Sequence, residues 1–117
     1  MSKRKQGELE TAVLGCLWDR PDGLTSQQIL AMLGDDDLAV TTILTVLARL
    51  CDKDLVQKAQ PSGRSLIFTA VHTREEHTAK LLLSAMDNSL NPALAFSHFT
   101  QGLSAEQIES LKKVLGD

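Results

Sequence analysis

The richest chemistry in this 117-residue chain lies in a short polar strip, Thr41, Thr42, Thr45 and Arg49. At helical spacing these side chains occupy the side opposite Ile43, Val46, Leu47 and Leu50, with Asp52 further along and Thr41 in the first turn. Threonine hydroxyls donate and accept hydrogen bonds and suit close approach to phosphates, and threonine methyls suit contact with thymine methyls. Arg49 reaches a phosphate or a guanine edge. Apart from Arg49, residues 38–51 carry no charge. The exposed face is therefore small and polar, the right size for a DNA major groove about 12 Å wide. The same residues equally suit an ordinary solvated helix face, and pattern alone leaves both readings open.

A second cluster lies just downstream. Gln60-Pro61-Ser62-Gly63-Arg64 has turn chemistry between two strand-like runs, 55–59 and 65–69. Arg64 then sits at a hairpin tip with Lys58 on its flank, and arginines placed this way contact phosphates or the minor groove. A solubilising turn charge is the plainer reading. Lys3, Arg4 and Lys5 read as either a basic arm or an unstructured tail.

Enzymatic chemistry has little support. His72, His77 and His98 are isolated from one another, Cys16 and Cys51 form no C-x-x-C pair, and no glycine-rich phosphate loop occurs. No serine or cysteine carries a nucleophile signature, and Glu75-Glu76 belong to a capped first turn. We therefore expect no catalytic residue, no metal site and no cofactor. The two cysteines read as core thiols.

The elements that must position the strip follow from local signals. Leu9, Val13, Cys16 and Leu17 predict a first helix over 8–19, ended by Arg20-Pro21-Asp22-Gly23. Thr25-Ser26-Gln27-Gln28 is a capping box for a second helix that stops at Gly34. Asp35-Asp36-Asp37 reads as a turn whose acids also suit the start of the next helix. A third helix covers 40–53 and depends on packing, because its β-branched residues disfavour an isolated helix. Three helices closed by a hairpin make a winged helix-turn-helix. Thr73-Arg74-Glu75-Glu76 opens another helix, Asn91-Pro92 breaks it, and Ser104-Ala105-Glu106-Gln107 caps the last one.

The expected fold is thus mainly α with a small β-hairpin: a winged helix-turn-helix domain over 1–71 and a C-terminal helical segment over 72–117. That second segment is too small to bury its many leucines alone. Pairing with the same segment of a second chain is the simplest remedy, which makes Leu82, Met86, Leu90, Phe96, Phe99, Ile108, Leu111 and Leu115 the expected homodimer contacts.

Bulk composition bounds these readings. Apolar residues make up 43% and charged residues 23%, enough for a core and a hydrated surface. The net charge of −3 opposes nucleic-acid binding, so that reading rests on local placement. No apolar run approaches bilayer length. Basic Met1–Gln6 is followed by Gly7-Glu8 rather than an apolar stretch, so we expect no leader and a cytoplasmic protein.

The segment Leu38-Ala39-Val40-Thr41-Thr42-Ile43-Leu44-Thr45-Val46-Leu47-Ala48-Arg49-Leu50 resembles the A-Y-T-T-V-x-T-V-L-x-R-L stretch of the penicillinase-repressor family of the BlaI/MecI type. The stretch from Leu9-Glu10 through Leu17-Trp18, with Lys53-Asp54-Leu55-Val56, Gly63-Arg64 and Leu103-Ser104-Ala105-Glu106, adds to the resemblance, which spans nearly the whole chain. It implies a dimeric winged-helix transcriptional repressor that binds inverted-repeat operators in double-stranded DNA. Thr41, Thr42, Thr45 and Arg49 become its reading face and Arg64 its wing contact. It also implies inactivation through a membrane sensor-protease pathway, by cleavage before a phenylalanine in the C-terminal domain. The matching bond is His98–Phe99, with His98 where better-known members have Asn. Two further departures are Val40 for the family's Tyr and Asp54 for its Gly. The cysteine-rich tail of copper-responsive relatives is absent. Two other readings stand beside this one: a dimeric protein-interaction module without DNA binding, favoured by the acidic balance and Val40, and a ligand-sensing winged-helix regulator.

Overall fold

Apolar spacing places three helices around one core. In the computed structural model, which describes residues 6–116, these are α1 (Gln6–Asp19), α2 (Ser26–Leu33) and α3 (Val40–Asp52). Val13 and Leu17 of α1, Ile29 of α2, and Ile43, Leu47 and Leu50 of α3 are almost fully buried. Burying each such side chain contributes roughly 1.5–3 kcal/mol, which holds the β-branched α3 helical.

The caps are local and follow the sequence. The Gln28 amide donates to Thr25 Oγ1 (3.1 Å), and the Thr25 amide donates to Gln28 Oε1 (2.9 Å). Gly34 ends α2 in the left-handed conformation. The acidic triplet does not cap α3. Asp35 Oδ1 instead accepts from the Asp37 amide (3.0 Å), and the N-cap of α3 is Ala39, which has no capping side chain. An aspartate bonds its own backbone two residues on as readily as it caps a helix, and here the turn wins.

The C-terminus of α3 is a Schellman motif. The Leu55 amide donates to Leu50 O (2.9 Å) and the Asp54 amide to Cys51 O (3.0 Å), with Asp54 at φ +61°. Aspartate thus takes the left-handed place of glycine, as its short polar side chain permits.

The hairpin comprises β1 (Val56–Ala59) and β2 (Ile67–Ala70), antiparallel, with Lys58 opposite Phe68. The second strand starts two residues later than the apolar run suggests. A 3-10 turn at Pro61–Gly63, with the Arg64 amide donating to Pro61 O, occupies the tip, and Ser65 and Leu66 precede the paired strand. Leu24, before α2, adds a bridge to β2: its amide donates to Phe68 O (3.0 Å) and accepts back from the Phe68 amide at its carbonyl (2.8 Å). Gly23 makes this approach feasible. Its φ is +100°, and a Cβ there would clash with Ile67 Cγ2.

Three further helices follow: α4 (Arg74–Asp87), α5 (Pro92–Gln101) and α6 (Ala105–Leu115). By packing, the chain divides into Met1–His77 and Thr78–Asp117. Trp18 keeps the start of α4 with the first unit. Its indole N–H donates to His72 O (3.0 Å), the Arg74 guanidinium stands 4.8 Å from its ring centroid, and the His77 ring lies 5.3 Å away.

The second unit has the Ser104–Gln107 capping box and the Asn91 cap but, among the described residues, no buried side chain. Leu82 and Phe96 are about half exposed, Leu90 fully so, and Phe99 is 44% exposed. An apolar groove of about 300 Å³ runs between α4 and α5, lined by Leu82, Leu83, Met86, Phe96 and Phe99. No described helix is long and apolar enough to cross a membrane.

Candidate nucleic-acid interface

α3 has two sharply different sides. Ile43, Val46, Leu47 and Leu50 are at most 3% exposed, whereas Thr41, Thr42, Thr45, Ala48 and Arg49 face solvent. At about 100° per residue, Thr41, Thr45, Ala48 and Asp52 line the outermost ridge. Thr42 and Arg49 lie on one flank of it, Leu44 and Cys51 on the other. The four expected residues therefore share a surface, but not a single row.

Their hydrogen bonding differs. The Thr45 hydroxyl donates to Thr41 O, one turn back (3.0 Å). Its proton is committed to the helix, so Thr45 offers outward a methyl group and oxygen lone pairs. Among the described residues, neither Arg49 nor Arg64 lies within salt-bridge reach of a carboxylate. Each guanidinium keeps its donors for an external acceptor. Lys53 differs: its Nζ lies 2.9 Å from Glu10 Oε1 and ties the end of α3 to α1.

The hairpin separates the two remaining expected residues. Arg64 is exposed beyond the 3-10 turn, where Ser62 (φ +54°) and Gly63 (φ +74°) both take positive φ. Lys58 stands on β1 and lines an open groove of about 680 Å³ with Cys51, Gln57 and Asp22. Burial pushes the Cys51 thiol pKa up; Lys58 is near enough to pull it down, and Asp52 adds to the rise. The net rise keeps Cys51 a thiol at neutral pH. Lys58 thus belongs beside the end of α3 and Arg64 to the tip. Lys3, Arg4 and Lys5 lie outside the described residues.

Two exposed apolar residues join this surface without having been expected there. Leu44 is 40% exposed on α3, and Leu66 is 37% exposed beside the wing tip. The signal for Leu44 is present in the sequence, as an apolar residue off the buried stripe. Leu66 carries no such signal, because its apolar, strand-like neighbours place it within a paired strand, whereas pairing begins at Ile67.

No group of three or more His, Cys, Asp or Glu capable of holding a metal occurs among the described residues. His98 and Phe99 lie in the last turn of α5, where the Gly102 amide donates to the carbonyls of both (3.3 and 3.1 Å).

Comparison with known proteins bears on the chain as a whole. The family model described as "Penicillinase repressor" matches residues 6–117. The chain is 34% identical over 115 residues to the transcriptional regulator BlaI of Mycobacterium tuberculosis, in strains CDC 1551 and H37Rv, covering 95% of this chain and 83% of the relative. Among solved structures, similarity extends to a MarR-family transcriptional regulator from Rhodococcus sp. RHA1 (TM-score 0.49, 16% identity, 92% of this chain and 70% of that one). The PcaV transcriptional regulator from Streptomyces coelicolor, in complex with its natural ligand, is also similar (TM-score 0.48, 23% identity, 92% and 70%).

Proposed function

The chain belongs to the penicillinase-repressor family and is a DNA-binding transcriptional repressor rather than an enzyme; from that premise we propose that it acts as a homodimer on an inverted-repeat operator, with α3 as the reading helix. The observation that carries this reading is the asymmetry of α3. One side is sealed into the core, and the other presents a charge-poor strip ending in the uncommitted guanidinium of Arg49. Thr41, Thr42 and Thr45 approach bases and phosphates, Arg49 reaches a guanine or a phosphate, and Arg64 and Lys58 hold the backbone from the wing side. Family membership sets aside the interaction module without DNA binding.

Two chains would place two α3 helices about 34 Å apart in successive major grooves. The net charge of −3 supplies little non-specific hold. Two tethered half-sites compensate, because joining them raises the effective concentration of the second contact. Leu82, Met86, Leu90, Phe96, Phe99, Ile108, Leu111 and Leu115 form the pairing surface in this reading, and their exposure or half-burial in the single chain supports it. Cleavage at His98–Phe99 by a membrane sensor-protease pathway would release α6 and weaken that surface. The bond is helical, so the last turn of α5 must unwind first.

The test is a fluorescence anisotropy titration on the DNA upstream of the protein's own gene, at two salt concentrations. Thr45→Ala or Arg49→Ala should weaken specific binding by roughly 1–3 kcal/mol where the lost contact is to a base. Arg64→Ala should weaken binding to all sequences and reduce the salt slope by about 1. Titration curves unchanged in all three variants refute the assignment.

A further inference from the structure

Leu44 is the anomaly of the α3 surface. The helix buries Ile43, Val46, Leu47 and Leu50 to within 3% of completely, yet leaves Leu44 40% exposed in its N-terminal half. The neighbours of Leu44 on the adjoining outermost ridge are themselves methyl-bearing. Thr41, Thr45 and Ala48 stand at positions −3, +1 and +4 from it, the first and last within contact spacing on a helix. The Thr45 hydroxyl spends its hydrogen-bond donor on Thr41 O. No charge occurs between Asp37 and Arg49. Apart from the Thr41 hydroxyl, this side of the helix therefore offers a base edge a run of methyl groups rather than hydrogen-bond donors. The other flank, Thr42 and Arg49, carries the donors.

A base pair presents one apolar group in the major groove, the C5 methyl of thymine. Resting on the proposal that α3 is the reading helix, we infer that Leu44 is a specificity-determining residue that selects a thymine by packing on its C5 methyl. The reading helix is thus divided: an apolar flank centred on Leu44 demands an A·T pair at one position of each half-site, and the Thr42–Arg49 flank makes the polar contacts. A cytosine or purine edge placed under Leu44 would lose the water around its polar atoms with nothing in exchange, which is the energetic basis of the discrimination.

The inference is testable with DNA in which only that methyl is removed. Duplexes enriched from a random-sequence pool by the full-length protein are resynthesised with deoxyuridine replacing thymidine one position at a time, symmetrically in both half-sites. Wild-type protein should lose about fourfold in affinity per half-site at one position, the effect of one buried methyl, with smaller changes elsewhere. Leu44→Ala should bind the thymidine duplex more weakly by a similar factor and show no further loss with deoxyuridine at that position. Leu44→Met, which keeps an apolar side chain of similar volume, should retain the methyl dependence. Thr45→Ala should also retain it at that position, since the contact belongs to Leu44. Circular dichroism checks that the variants are folded, and the exposure of Leu44 makes that the expected result. A Leu44→Ala variant that keeps the full deoxyuridine penalty, or a wild-type protein indifferent to every such substitution, overturns the inference while leaving α3 as the reading helix. A random pool from which no sequence is enriched overturns that underlying reading as well.

Discussion

Trp18 shows how much one side chain organises. It is the only tryptophan, and its N–H holds the carbonyl of His72 while its ring receives Arg74 on one side and His77 nearby. A cation over an indole face contributes about 0.5–1 kcal/mol at an exposed site. Trp18→Phe keeps a ring for Arg74 but removes the donor. The expected cost is about 0.5–1.5 kcal/mol, read as a lowered urea midpoint with unchanged slope by circular dichroism. The thiols make a second residue-scale case. Cys16 is buried, and burial raises the Cys51 pKa despite Lys58. Reactivity follows the thiolate. Ellman's reagent at neutral pH should therefore modify the folded protein more slowly than free cysteine and should titrate two thiols rapidly after unfolding. A fast native phase would contradict the thiol assignment of Cys51.

At the scale of elements, two backbone positions decide how the first unit closes. Gly23 lets the chain before α2 lie against β2, where a Cβ would also come 2.9 Å from Thr69 Cγ2. Gly23→Ala adds a steric clash to a left-handed backbone, and the expected loss is about 1–3 kcal/mol or more. Leu24 and Phe68 then have to part, so the melting temperature should fall even though the substitution adds only one methyl group. Asp54 is the opposite case. It holds a left-handed φ of +61° at the end of α3 and places a negative charge at the negative end of the helix dipole. Asp54→Gly removes both costs, and the expected gain is about 0.5–1 kcal/mol, measured in the same denaturation experiment. A loss there would mean that the Asp54 side chain contributes more than its backbone conformation costs.

The whole molecule presents an imbalance between its units. Every fully buried side chain among the described residues lies in the first unit, and none lies in the second. A helical unit without a core leaves apolar area available for association. Truncation after His98 removes α6 and the end of α5. On the proposed dimer, the shortened chain should sediment as a monomer and lose about 10²–10⁴ in affinity for a two-half-site duplex, with little change on a single half-site. A truncated chain that stays dimeric and binds with full affinity would sink the proposed inactivation step.

Much of this architecture was legible in order along the chain. The Thr25–Gln28, Thr73–Glu76 and Ser104–Gln107 boxes form as their spacing predicts. The buried stripe of α3 is the one that its periodicity marks, and Asp54 turns as its residue type allows. These features are local: each depends on partners within a turn or two, where residue type and spacing suffice. Tertiary structure alone decided the rest. It set the Leu24–Phe68 bridge, the late start of β2, the enclosure of Trp18 by His72, Arg74 and His77, and the exposure of Leu66 beside the wing tip. Each of these depends on which distant segment comes to lie alongside. The α3 strip belongs to both categories: its residue types, its outward face and the Thr45–Thr41 hydroxyl bond are local to one helix, but packing against α1 and α2 decided how deeply the opposite face is buried.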